Sequence, residues 1–227
     1  MGGMFHVKLT RDLVCKAVGT KEIDEGKWAL AERYCELVLE ANRKINLISR
    51  SGDVSQTVER QFLLSVAALD LIPGTKGLTW LDIGSGGGFP AIPLAIFRSD
   101  ISFVLAESIA KKAYFLERTV ETLGLLNVKV AHGRLEPRGP NDKVRHNSFD
   151  WVSVKAVAEW ETSLQWGDSF LKPSGCLLTY KPILVRAAES RAMRKYGFKM
   201  LSSIPIIEKL PNAGLHIFVV EKESEDK

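Results

Sequence analysis

From Gly77 onward the chain alternates short apolar runs with helical patterns, and this alternation restricts its fold more than any other feature. The runs cover 79–83, 102–106, 128–131, 149–154 and 175–180. Apolar residues at the helical period fill 91–97, 111–123 and 161–170 between them. Such alternation implies βαβ units and a parallel sheet, and a largely apolar run such as 149–154 suits a strand covered on both faces. The end of the chain differs. Runs 199–207 and 215–220 are joined through Pro211-Asn212-Ala213-Gly214, a gap too short for a helix, so they should form a terminal antiparallel pair.

The first third reads as helical. Apolar side chains recur at Trp28, Ala31, Tyr34, Val38, Ala41 and Ile45, and Asp24 is placed to cap the run. A second pattern, 55–71, carries Val58, Phe62, Val66 and Leu69 on one face and stops at Pro73-Gly74. Neither helix can bury its stripe alone. Residues 1–75 are therefore expected to form a helical extension packed on an α/β domain of residues 76–227.

Composition narrows the class. With 227 residues, 45% of them hydrophobic, the chain can bury one sizeable core. No stretch approaches the roughly 20 apolar residues that span a bilayer, and residues 1–11 lack the apolar centre of a secretory signal. Cys15, Cys35 and Cys176 are odd in number and far apart, which suits reduced thiols in the cytoplasm; no Cys or His spacing suggests a metal site. The net charge of +4 permits nucleic-acid binding without demanding it. Arg43, Lys44, Arg50 and Arg60, set against Asp53 and Glu59, form either a phosphate-facing patch or a solvated surface.

The candidate site lies at the end of the first strand. Leu81-Asp82-Ile83-Gly84-Ser85-Gly86-Gly87-Gly88-Phe89 follows a strand and opens a helix. Glycines there allow a sharp turn and a close ligand approach. In doubly wound folds the crevice at that strand end binds nucleotides. Glu107 ends the second strand about 20 residues on, where an acid can accept hydrogen bonds from ribose hydroxyls. The dinucleotide spacing Gly-x-Gly-x-x-Gly fails, because Phe89 stands where its last glycine belongs. Asp82 beside a pyrophosphate would be repulsive; beside the zwitterionic and sulfonium end of S-adenosylmethionine (SAM) it is sensible. A buried acid that fixes the loop is the bland alternative. Gly133-Arg134-Leu135-Glu136 follows the third strand, where Leu135 can pack on an adenine and Glu136 can start a helix or face solvent.

These elements resemble a class I SAM-dependent methyltransferase, and one family in particular. The run from Leu81 to Ala95, with Phe89-Pro90-Ala91-Ile92-Pro93 after the glycines, is similar to motif I of the RsmG (GidB) family. Lys44-Ile45-Asn46-Leu47, Glu107-Ser108 with Lys111-Lys112, Gly133 to Glu136, Lys155-Ala156-Val157-Ala158 and Leu171-Lys172-Pro173-Ser174-Gly175 continue the likeness. The resemblance implies SAM as cofactor, 16S ribosomal RNA or the small ribosomal subunit as partner, and methylation of guanine N7. It implies cofactor contacts at Asp82, Gly84, Ser85, Gly86, Gly88, Phe89, Glu107, Leu135, Glu136 and Lys155. Lys155 and Arg60 are the candidate catalytic residues, facing the SAM carboxylate or an RNA phosphate. The sequence departs from the family at Gln61 and Leu64, where the family has His and Asp, and at Lys155, where it has Arg. A retargeted or inactive SAM-binding paralogue is the alternative those departures raise.

Other nucleobase methylations leave marks that are missing. An Asn/Asp-Pro-Pro-aromatic turn is replaced by Ser153-Val154-Lys155-Ala156, and no cysteine follows a proline to act as a nucleophile on cytosine. Guanine N7 has an exposed lone pair, so its methylation needs positioning rather than a general base.

Overall fold

The computed structural model describes residues 9–49, 52–137, 139–140, 143–155, 159–181, 187–205 and 216–223. Three helices come first: α1 (Arg11–Val18), α2 (Glu25–Asn42) and α3 (Val54–Val66). Then follow β1 (Thr79–Ile83), α4 (Ala91–Phe97), β2 (Ser102–Glu107), α5 (Ala110–Leu123), β3 (Val128–His132), β4 (Phe149–Val154), α6 (Trp160–Phe170), β5 (Leu171–Lys181), α7 (Ala187–Lys195), β6 (Phe198–Pro205) and β7 (His216–Lys222).

The strands form one seven-stranded sheet in the order β3-β2-β1-β4-β5-β7-β6. β1 to β5 pair in parallel, and β7 runs antiparallel to both β5 and β6. The order reverses beside β1, which opens the crevice at its carboxyl end. The terminal pair expected from the sequence is present; the joining residues 211–214 lie outside the described residues.

Side chains alternate across a strand, so β1 sends Trp80 and Asp82 to one face and Leu81 and Ile83 to the other. The first face belongs to a core shared with the extension. Trp80, Trp151 and Leu178 are buried there with Tyr34, Phe62, Ile92 and Leu116 of α2, α3, α4 and α5. The Trp80 and Trp151 rings stack at 5.0 Å. The second face packs Leu81, Ile83, Val152 and Val154 against Leu164 and Phe170 of α6.

Local signals set the helix ends. Asp24 accepts the Lys27 N–H at 3.1 Å, and Asp53 accepts those of Ser55 and Gln56, satisfying donors with no partner inside the helix. The pattern read over 55–71 is broken: α3 stops at Val66 and a single 3₁₀ turn covers Leu69–Leu71. β5 begins at Leu171 rather than 175, with a bulge between Leu171 and Cys176, the partners of Phe149 and Trp151. Gly175 accommodates that bulge, since a Cβ there would lie 2.9 Å from Lys172 O and 3.1 Å from Asp150 O.

Candidate active site

The loop after β1 doubles back on itself. Gly84, Gly86 and Gly88 have φ of 70°, 55° and 96°, a region that side chains disfavour. At Gly88 a Cβ would also stand 2.6 Å from Ile92 Cδ1. The loop is closed internally by Gly88 N–H donating to Ser85 O at 2.7 Å. The buried Ser85 hydroxyl donates to Asp82 O at 3.0 Å, so this side chain shapes the loop from inside.

Glu107 joins two loops. Its Oε2 accepts the Gly86 N–H and its Oε1 the Ile109 N–H, each at 2.8 Å. A carboxylate has roughly four acceptor positions, so capacity remains for hydroxyls of a bound nucleoside. Beyond the Glu107–His132 register pair, the Gly133 N–H donates to Glu107 O at 3.0 Å. Leu135 is buried and lines a cavity of about 230 Å³ with His132, Gly133, Arg134 and Lys143. Glu136 points outward and pairs with Arg134 at 3.3 Å.

A buried polar line runs along the first face of the sheet. Trp80 Nε1 donates to Ser153 Oγ at 2.8 Å, and Ser153 Oγ donates to Asp82 Oδ1 at 2.5 Å. Asp82 is fully enclosed; burial pushes its carboxyl up to about 6, against the opposing pull of Ser153, Ser85 and the Lys155 charge. Lys155 Nζ lies 5.2 Å from the Phe89 ring centre and 5.1 Å from that of Tyr180. Burial pushes its ammonium down to about 7, with Asp82 acting in the opposite sense. Burial likewise raises the Tyr180 phenol, as does the Asp82 charge.

Four buried side-chain polar atoms lack a hydrogen-bond partner among the described residues: Asp82 Oδ2, Lys155 Nζ, Tyr180 Oη and Trp160 Nε1. The first three belong to this one electrostatically linked group. An unpaired buried polar group costs about 1–3 kcal/mol and a charged one more, so their gathering in one place marks a candidate ligand site. The donor set is one cation, one acid and one phenol beside a glycine loop. That set fits a zwitterionic amino-acid end better than a phosphate.

The structure thus brings together Asp82, the glycine loop, Phe89, Glu107 and Lys155. Leu135 adjoins them through Gly133. Arg60 is exposed on α3, while Phe62 and Leu64 beside it enter the core and Gln61 is half-buried. Residues 156–158, which continue the Lys155 motif, lie outside the described residues. Tyr34, Ser153 and Tyr180 were not singled out from the sequence. Tyr34 was read only as a member of an apolar stripe, and Ser153 and Tyr180 only as strand residues. The one available signal was register: Ser153 pairs with Asp82, and Tyr180 follows the Val154–Thr179 pair as Lys155 does. Among the described residues no group of three His, Cys, Asp or Glu side chains could hold a metal, and no helix is long and apolar enough to cross a membrane.

The chain is similar to known proteins in sequence and in fold. A family model described as rRNA small subunit methyltransferase G matches residues 27–205. The ribosomal RNA small subunit methyltransferase G of Lactococcus lactis subsp. cremoris is 35% identical over 200 residues, covering 86% of this chain and 82% of that one. Its counterpart from Chlorobium limicola is 32% identical over 206 residues, covering 89% and 88%. Among solved structures, a precorrin-6y C5,15-methyltransferase from Geobacter metallireducens aligns with a TM-score of 0.53 at 15% identity, over 78% of this chain and 92% of that one. At that identity the likeness concerns the fold alone.

Proposed function

The chain belongs to the rRNA small subunit methyltransferase G (GidB) family, and on that premise we propose that it transfers a methyl group from SAM to N7 of a guanine in 16S ribosomal RNA. The observation that carries the reading is the trio of unpaired buried atoms, Asp82 Oδ2, Lys155 Nζ and Tyr180 Oη, behind a glycine loop fastened by Glu107.

The residues present fit SAM. Glu107 would hold the ribose hydroxyls, and Leu135 would pack on the adenine. Asp82 and Lys155 would face the ammonium and carboxylate of the methionine end. When bound, SAM supplies a methyl carbon already activated by its sulfonium. The chain's own part is positioning. Phe89 and Tyr180 flank the Lys155 ammonium and hold it in a site poor in water, where its charge acts strongly on an anionic partner. Guanine N7 needs no proton removed, so Asp82 serves as a counter-charge rather than a base. Arg60 and Lys111, both exposed, are suited to RNA phosphates. The small ribosomal subunit or its RNA in the cytoplasm is the expected partner.

Where the family has Asp, this chain has Leu64, wholly buried in the apolar core. That exchange removes a carboxylate and adds packing to the core that also holds Trp80, Phe89 and Tyr180. The test is transfer of labelled methyl from SAM to 16S RNA and to small subunits from a strain lacking the N7 modification, with the site mapped by chain cleavage. Label at one guanine N7 is the expected result. Label elsewhere in the RNA, or none while SAM still binds, would overturn the assignment in favour of a retargeted or inactive relative.

A further inference from the structure

The helical extension reaches the back of the glycine loop. Tyr34 of α2 is wholly buried, and its hydroxyl donates to Gly87 O at 2.8 Å. Its ring meets Phe89 edge-on with centres 5.2 Å apart. The hydroxyl oxygen lies 3.1 Å from the place where a Cβ on Gly88 would stand, so Tyr34 fills the space behind the loop.

A second contact comes from Leu47, whose Cβ is 3.6 Å from the corresponding position on Gly87. Leu47 is held there by Asn42, a buried side chain at the end of α2. Asn42 Oδ1 accepts the N–H groups of Leu47 at 2.9 Å and Ile48 at 3.1 Å, turning the chain under the loop. This gives the Lys44-Ile45-Asn46-Leu47 segment a place in the site.

Consecutive glycines have few steric limits, so the peptide units of residues 86–88 keep their orientation through hydrogen bonds; inside the loop the N–H of the Gly87–Gly88 unit donates to Ser85 O at 2.7 Å. The sheet fixes one side, through Glu107 and the Gly86 N–H. The extension fixes the other, through Tyr34 and the Gly87 carbonyl. A Gly87 carbonyl turned outward would present its negative end to the ligand's carboxylate.

We propose that Tyr34 is a positioning residue for the cofactor: it holds the Gly87 carbonyl inward and so pre-organises the loop that meets the methionine end. The proposal rests on the SAM reading above. It makes the extension part of the cofactor site as well as a support for the core.

Tyr34→Phe keeps the ring and removes only the hydroxyl. Calorimetric titration of SAM alone, without RNA, should show affinity weakened about tenfold, the consequence of a buried carbonyl left without its donor. The KM for SAM should rise in step, with kcat at saturating SAM retained. Val38→Ala, one turn along the same buried stripe, is the control: it should lower the melting temperature and leave SAM affinity unchanged. Unchanged SAM affinity in Tyr34→Phe, or an equal loss in Val38→Ala, would overturn the positioning role. A wild-type chain that does not bind SAM would instead remove the cofactor reading, and the proposal with it.

Discussion

The two faces of the sheet are built from the same strands and obey different rules. On the second face, Leu81, Ile83, Val152 and Val154 belong to an apolar cluster with Leu164 and Phe170 of α6 and Met193 of α7, and Thr179 bonds to the Val154 carbonyl. On the first, the alternate residues Trp80, Asp82, Ser153, Lys155 and Tyr180 form a polar line that ends in unpaired buried atoms. Apart from Lys155, which is half-buried with its Nζ enclosed, burial is nearly complete on both, so solvent access does not explain the difference. The second face is optimised for stability. The first carries buried charged groups without hydrogen-bond partners where the strands open at their carboxyl ends, and on the cofactor reading proposed above a ligand with the opposite charges would relieve them.

The largest effect should come from breaking the apolar face. Leu81→Ala removes a fully buried side chain and should destabilise the fold by about 2–5 kcal/mol, read as a shift in denaturant midpoint. Comparable stability to wild type would mean that this face is not the structural one. On the polar face the sign should reverse. Lys155→Met replaces a buried ammonium that lacks a hydrogen-bond partner with an apolar chain of similar length, so the protein without ligand should gain stability while methyl transfer is lost. A destabilised Lys155→Met would show that the lysine is held by its surroundings rather than by a ligand.

The pH dependence sharpens the same contrast. Lys155 releases its proton near 7 in the fold and at its ordinary 10.5 in the unfolded chain. Between those values the unfolded state binds more protons, so stability rises with pH. Asp82 acts oppositely: with its carboxyl raised from 3.8 to about 6, stability falls as pH rises through that interval. Thermal melts at pH 7 and pH 9 should differ more in wild type than in Lys155→Met; an identical difference would remove Lys155 as the source. The smallest effect belongs to Ser153→Ala, which takes one donor from Asp82 and the acceptor from Trp80 and should cost about 1–3 kcal/mol in thermal or chemical unfolding. No change in the unfolding midpoint would show that neither bond contributes.

Much of this was legible in the sequence. β1 and β4 begin and end where their apolar runs do, and β2 and β3 extend theirs by one residue. Asp82, the glycines and Glu107 announce themselves through spacing, because a tight turn and a strand-end acid are local requirements. Other parts depend on tertiary packing. α7 has a mainly polar sequence with no continuous stripe, and α1 is only eight residues long. The apolar run marks β5 only from 175, because Lys172, Pro173 and Ser174 break the pattern; the strand itself starts at Leu171 and passes through a register shift there. Tyr34 contributes to the stripe of α2 whether or not its hydroxyl has a partner, so periodicity alone could not reveal the bond to Gly87.

The most direct test of the polar face is calorimetric titration of SAM into wild type and Asp82→Asn at pH 7. Asparagine keeps the acceptor used by Ser153 and removes the charge. The account predicts one SAM bound per wild-type chain and affinity at least about tenfold weaker in Asp82→Asn, the scale of a lost charge-assisted hydrogen bond. Equal affinity in the two proteins would contradict it.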